Sequence, residues 1–422
     1  MSLGLDARLR RLRAPALGPS SAPDPLADPL AAPLPDGPPA GQADRGRASL
    51  AERLSRVTPG RGGGRPQGAP RDQALADCVG ARVLCPGVLL VERRLDPRRR
   101  HGRILLGTLK EPRLLPLPPG CAVTDPSAPW LCLDTETSGL AGGTGTWAFL
   151  IGVLRQFEGG WVLRQYLLTR LDAESGYLEA VVRELGGAVR LLTYNGRAFD
   201  VPLLATRFRL AGLADPLAGL PHLDLLGPVR RAFARAWPDC RLATAESRLL
   251  GLQRRDDLPG SAAPLAWLGW LRLGETAPLT GVLRHNRLDL CSLAGLLPRM
   301  DAVYADPAAQ GADVRAIAAD HRKQGRLDLA LGILARERAS LGPAGLLDLA
   351  ALYRRAGQWA RSVAIWESLE AAGDLQARAA LARYHEHRSR DLERALTMTE
   401  ALPCGEDRDR RRARLLVKRG KS

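Results

Sequence analysis

Two acids spaced two residues apart, Asp134 and Glu136, end an apolar run, Trp130 to Leu133. A Gly-rich turn and a second apolar run, Trp147 to Val153, follow. In a strand, residues i and i+2 share a face, so both carboxylates project into one small volume. Like charges that close resist ionisation unless a cation lies between them, which points to a divalent metal. Taken alone, the pair also suits a solvated strand end. Two later clusters add acids. In Asn195-Gly196-Arg197-Ala198-Phe199-Asp200, a strand ends in Asn, the chain turns at Gly, and Asp200 enters the first turn of a helix. Negative charge is favoured there, and an N-cap is the plain alternative. Phe199 is expected to bury beneath this turn while Asp200 faces a cleft. In His285-Asn286-Arg287-Leu288-Asp289, the His and the Asp stand one helical turn apart on one face, as a surface pair also would. Asp134, Glu136, Asp200 and Asp289 in order, with His285 ahead of the last acid, form a more specific set than any one cluster.

The elements that must position these residues occupy 129–300, where strand and helix signals alternate. Strands are expected at Trp130–Glu136, Thr146–Gln156, Gly160–Leu168, Val189–Tyr194 and Leu223–Leu226. The second and third pair as a hairpin around Glu158-Gly159-Gly160. Helices are expected at Ala173–Leu185 with Asp172 as N-cap, Val201–Leu210, Pro228–Ala236, Leu242–Leu250 and Val282–Leu297. Three strands followed by alternating helices and strands make a mixed α/β domain. Gly142, Gly143 and Gly145 either let the chain approach a substrate backbone or form a flexible connection. His222 and Asp224, on a strand near the site, read as structural or supporting residues.

Residues 1–74 hold 12 of the 32 prolines together with Gly62-Gly63-Gly64, and are expected to be disordered. A small β-rich lead-in covers 75–128, with strands at Ala81–Glu92 and Ile104–Leu109. Its intervening Arg93, Arg94, Arg98, Arg99 and Arg100 suit either phosphate contact or an exposed loop. At 311–402 the segments starting at Gln324, Ala356 and Ser389 recur at spacings of 32 and 33, two of them with a Gly at the inter-helix turn. That period suggests tetratricopeptide-like helix pairs, an unrelated helical bundle being the alternative. Residues 403–422 form a basic tail that either binds phosphate or only solubilises.

The formal charge of +16 favours a polyanionic partner, nucleic acid above all. Four of the 61 basic residues are Lys and 57 are Arg, a bias that a GC-rich coding sequence also produces, so charge alone does not decide. Seven scattered cysteines without a CxxC pair argue for a reducing cytoplasm and against a zinc site; Cys132 and Cys291 fall in apolar runs and read as core. There is no apolar segment of signal-peptide type and no run of 18 apolar residues, so a soluble, cytoplasmic protein is expected.

The ordered acids resemble the DEDD 3′–5′ exonucleases of the RNase H-like fold. Asp134-Thr135-Glu136 matches their first motif, Asn195 to Asp200 the second, and His285-x3-Asp289 the third, with a His at the spacing of the Tyr type. The strings LDTETSGLAGGTGTWAFLIG, TYNGRAFDVPLL, HLDLLGPVRR, CRLATAESRLLGL and HNRLDLCSL are similar to the bacterial YprB-like ribonuclease H-like domain family, over roughly residues 78–400. Members often end in tetratricopeptide-like helices. The resemblance implies an RNase H-like mixed sheet with flanking helices and an all-α C-terminal region. It also implies a 3′–5′ exonuclease acting on single-stranded RNA or DNA with two Mg²⁺ or Mn²⁺ ions, for which hard carboxylate ligands are suited. Asp134 would bridge the ions, Glu136 and Asp289 would hold the one beside the attacking water, and Asp200 would serve the second. His285 would orient or deprotonate that water. Competing readings are a binding module that keeps the fold without turnover, recruiting a protein partner through its helices, and an endonuclease.

Overall fold

The computed structural model describes residues 68–107, 111–118, 128–139, 145–157, 159–186, 189–255 and 257–420. Nine strands lie among them: β1 (Arg82–Cys85), β2 (Val88–Leu95), β3 (Arg100–His101), β4 (Ile104–Leu105), β5 (Trp130–Thr137), β6 (Ala148–Phe157), β7 (Gly160–Leu168), β8 (Arg190–Thr193) and β9 (His222–Asp224). Seven form one mixed sheet in the order β1-β2-β7-β6-β5-β8-β9, while β3 and β4 make a separate small hairpin. Pairing is antiparallel from β1 through β5 and parallel from β5 to β8 and β9.

The central strand β5 is covered on both faces, which explains its unbroken apolar start. Trp130 and Cys132 enter one core, Leu131 and Leu133 the other. Continuing that alternation places Asp134 and Glu136 on the Trp130 face. Helices α1 (Gly68–Val79), α2 (Glu174–Leu185), α3 (Asp200–Leu210), α4 (Leu226–Phe233), α5 (Leu242–Ala245, continuing as a π-helical turn at Glu246–Leu250), α6 (Ala263–Leu273) and α7 (Ala277–Ala305) flank the sheet. The long α7 seats against the Trp130 face at Gly152, the partner of Asp134 across β5 and β6. A Cβ at Gly152 would stand 2.0 Å from Asn286 Oδ1 and 2.7 Å from Leu290 Cδ1, so only Gly allows this approach.

Beyond α7 the chain is helical: α8 (Val314–Lys323), α9 (Leu327–Arg336), α10 (Pro343–Arg355), α11 (Trp359–Ala371), α12 (Leu375–Tyr384), α13 (Leu392–Glu400) and α14 (Glu406–Arg419). Each packs on the next, and α8 packs on α4. Asp313, Asp374 and Asp391 cap α8, α12 and α13 by accepting from backbone N–H groups three residues on. At the turns after α8 and α10, Gly325 and Gly357 have φ of 74° and 73°; at the third equivalent turn Arg390 takes φ 59°. No helix among the described residues is long and apolar enough to cross a membrane. Cys132 and Cys291 are buried, as expected for core residues.

Several expectations need correction. Helix α1 begins at Gly68, inside the segment expected to be disordered to residue 74. Its Leu75 and Ala76 are buried, and Asp72 accepts from Gly87 N and Thr169 Oγ1, which anchors it to the sheet. The lead-in is part of the main sheet: β2 pairs along its whole length with β7. Its second expected strand is only the two-residue β4, and residues 108–110 lie outside those described. Asp172 is no N-cap; its carboxylate pairs with Arg170, and α2 starts after a 3₁₀ turn. The basic tail is the helix α14, whose Arg414 and Lys418 bind the buried Glu386. Helix α6 is not among the expected elements. The 1–67 part of the N-terminal segment, Gly142, Gly143 and Glu158 lie outside the described residues.

Candidate active site

Asp134 and Glu136 stand on β5 beneath α7. Asn286, fully buried one residue after His285, donates through Nδ2 to Asp134 Oδ2 at 2.7 Å and to the Asp134 carbonyl at 3.2 Å. Gln165 on β7 donates to Asn286 Oδ1 at 2.8 Å, fixing the amide's orientation. Glu136 is 8% exposed, and its Oε1 is buried with no hydrogen-bond partner. A buried acceptor without a donor is costly and uncommon.

Asp200 opens α3 but does not cap it. Its Oδ1 accepts from Thr135 N at 3.1 Å and from Thr135 Oγ1 at 2.5 Å, tying α3 to β5 between the two strand acids. The preceding turn is held by Asp224, which accepts from Asn195 N at 2.7 Å and Arg197 N at 3.0 Å. His222 Nε2 lies 2.8 Å from Thr193 Oγ1. These are the supporting roles expected for His222 and Asp224. Phe199 contradicts expectation: it is 60% exposed. Gly196 packs on Thr193, where a Cβ would stand 2.6 Å from the Thr Cβ. That contact fills the space beneath the turn and leaves the Phe ring outside.

Asp289 lies one turn after His285 on α7, with His285 Nε2 3.6 Å from Asp289 Oδ2. His285 Nδ1 lies 2.8 Å from Asp257 Oδ2. Arg254 Nη1, which can only donate, also lies 3.2 Å from Nδ1; where Nδ1 instead carries the proton and donates it to Asp257, Nε2 is the accepting nitrogen beside Asp289. Arg254 enters the same cluster. Its Nη2 donates to Asp289 Oδ1, Nε and Nη2 both donate to Glu246, and Nη1 donates to Asp257 at 2.9 Å. Glu246 is fully buried on the π-helical turn and also accepts from Ser292 Oγ.

The acids press on one another. Burial first, then Asp289, Asp200 and Glu136, hold the Asp134 carboxyl well above the usual carboxylate range. Burial, Asp289 and Asp200 do the same to Glu136. Burial raises Asp200 to about 6, against the Thr135 hydrogen bonds. Asp289 is raised by burial, with Arg254 opposing. All five expected site residues thus gather where β5, α3 and α7 meet. Yet among the described residues no three His, Cys, Asp or Glu side chains close around a single point as an ion cage, since Asn286 holds Asp134 and Arg254 holds Asp289. The donor set fits a hard divalent cation: all oxygen, crowded, buried, with the Glu136 oxygen unpaired.

Arg254, Glu246, Asp257, Asn286 and Thr135 escaped the sequence reading as site residues. Thr135 and Asn286 sit inside the motifs, Thr135 between the two strand acids and Asn286 directly after His285. Arg254 comes from a loop without periodicity and carries no such signal.

A family model described as the RNase H superfamily matches residues 131–300, the span that holds all five residues. The Bacillus subtilis (strain 168) protein titled "Uncharacterized protein YprB" is 32% identical over 280 residues, covering 63% of this chain and 67% of that protein.

Proposed function

We propose, from the fact that this chain belongs to the RNase H superfamily, that it is a metal-dependent nuclease and that it works as a 3′–5′ exonuclease on single-stranded RNA or DNA. The observation that carries this reading is the convergence of Asp134, Glu136, Asp200 and Asp289 at one buried strand end, with a Glu136 oxygen left unpaired. Mg²⁺ or Mn²⁺, as a pair of ions, would supply Lewis acidity at the phosphate and lower the proton affinity of the attacking water. Asp134, central among the acids, would be shared between the two positions. Glu136 and Asp289 would serve the one nearer His285, and Asp200, steadied by Thr135, the other. His285 would take the water's proton at Nε2, while Asp257 holds the ring through Nδ1. Arg254 occupies Asp289 Oδ1 and leaves Oδ2 toward His285, so the guanidinium would compete with a cation for that carboxylate.

That same arginine favours a second reading. Held on Asp289, it suits a module that binds nucleic acid or a protein partner without turnover. One experiment separates the two: 5′-labelled single-stranded RNA and DNA incubated with Mn²⁺, Mg²⁺ or EDTA. Metal-dependent laddering from the 3′ end, lost in Asp134→Ala and Asp289→Ala, is expected. Internal cuts would replace the exonuclease with an endonuclease. No cleavage of any substrate, with wild type and Asp134→Ala binding equally, would leave the binding module. His285→Ala should lower turnover by roughly 10²–10⁴-fold with metal affinity nearly unchanged; lost metal affinity would make His285 a ligand.

A further inference from the structure

The C-terminal helices carry a second concentration of positive charge, away from the acids. Every second inter-helix turn here, at Gly325, Gly357 and Arg390, is preceded by two basic residues in the same two positions: Arg322-Lys323, Arg354-Arg355 and His387-Arg388. A basic residue near a helix C-terminus is favoured by the helix dipole, which accounts for some of them. It does not account for where they face. Arg322, Arg354 and Arg355 line a cavity of about 220 Å³, and Arg354, His387 and Arg388 line an adjoining one of about 570 Å³. The two share Asp348, Ala351 and Arg354, so they form one continuous groove along α8, α10 and α12.

The groove is unbalanced in charge. Asp348 is the acid that faces it, and Arg315 already binds that carboxylate through two nitrogens at 2.9 and 2.8 Å. Among the described residues Arg322, Arg354, Arg355 and Arg383 make no ion pair. Arg383, partly desolvated, has Arg411 and Arg354 close by, and all three effects lower its pKa. Like charges brought together on a folded surface without acids are held for an anion.

The groove also has flat faces. Trp359 and Tyr384 lie with ring centroids 5.8 Å apart, and the Arg388 guanidinium sits 5.6 Å over Trp359. Both rings line the larger cavity and are only half-buried. Evenly recurring guanidinium groups match a polymer with one charge per unit, and exposed rings match nucleobases, whose stacking tolerates any sequence. We infer that the groove along α8, α10 and α12 is a second site on this chain, taking single-stranded nucleic acid by its phosphates and bases. The inference rests on the nuclease reading only in preferring nucleic acid to an acidic peptide.

The test is fluorescence anisotropy of labelled oligo-U and oligo-dT with the full chain in EDTA, where no turnover occurs, across a series of salt concentrations. Replacing the three exposed arginines together, Arg322→Gln, Arg355→Gln and Arg388→Gln, should weaken binding by about tenfold or more and reduce the salt slope by about two. The matching Lys replacements should keep the slope. Thermal melting of each variant shows that the fold is kept. Unchanged affinity in the Gln variant would overturn the proposal, as would a polyglutamate peptide that displaces the oligonucleotide and is not displaced by it; the latter would assign the groove to an acidic protein partner. Binding lost in the Gln variant by a wild type that never cleaves would sink the nuclease and leave the groove standing. Cleavage by a wild type whose binding the Gln variant retains would do the reverse.

Discussion

Arg254 is the residue on which the state of the site turns. One guanidinium satisfies Glu246, Asp257 and Asp289, and it is the nearest positive charge to an otherwise acidic, buried cluster. Removing one partner from a buried ion pair leaves uncompensated charge, at a cost of about 3 kcal/mol or more. Arg254→Ala is therefore expected to destabilise the metal-free protein by that order and to bind Mn²⁺ about tenfold more tightly, since Asp289 is released. Isothermal titration and denaturant melts read the two effects; unchanged Mn²⁺ affinity would show that Arg254 does not compete with a cation. The acids give a pH dependence with a definite sign. Burial raises Asp200 from 3.8 to about 6, so between those values the folded state holds more protons than the unfolded one. Its stabilising effect is full below the lower value and lost as pH rises through the upper one. In EDTA, Asp200→Asn, which still accepts from Thr135, should gain on wild type as pH rises from about 4 to 6, measured as the difference in unfolding free energy. A difference that shifts in favour of wild type as pH rises would contradict the assignment.

Among the elements, α7 and the turns of the C-terminal helices carry the clearest consequences. The third turn holds Arg390 at φ 59°, where Gly325 and Gly357 occupy the first two. A left-handed conformation costs a non-Gly residue roughly 1–2 kcal/mol. Arg390→Gly should therefore stabilise the chain by about 1 kcal/mol and Gly357→Ala should destabilise it by a similar amount, both read from denaturant melts. A loss of stability in Arg390→Gly would mean that the arginine side chain contributes more than its backbone strain costs. The sequence made all three turns legible through the recurrence at Gln324, Ala356 and Ser389, with Gly marking two of them. It made β5, β6, β7 and β8 legible because apolar runs bounded by turn residues leave little choice. The joining of β2 to β7 was not legible, because their pairing links residues more than 60 positions apart and depends on no local pattern. Phe199 was misread for a related reason: what lies beneath its turn is set by Thr193 on β8 and not by its neighbours in the chain.

Across the whole molecule, two groups of charged side chains stand out. Asp134, Glu136, Asp200 and Asp289 gather at the junction of β5, α3 and α7, and basic side chains line the groove of the C-terminal helices, which join the sheet domain through α8 against α4 and the end of α7. Tyr304 at that end of α7 donates to Asp320 on α8 at 2.8 Å, so the helix bearing His285 and Asp289 is tied to α8 near its C-terminus and to β5 through Asn286. The four acids were legible because their spacing is fixed by strand and helix geometry; Arg254 was not, because it reaches Asp289 across 35 residues of chain from an irregular loop. The net charge of +16 reads as a general preference for polyanions and does not distinguish the basic groove from the acid cluster. The central claim is that these acids cleave phosphodiester bonds with divalent cations. It is tested most directly by the rate of nucleotide release from a single-stranded oligonucleotide in Mn²⁺, for wild type and Asp134→Asn at equal protein concentration. Release by wild type that EDTA abolishes is expected, with a fall of at least about 10³-fold in the variant. Equal rates in the two proteins, or release that persists in EDTA, would contradict it.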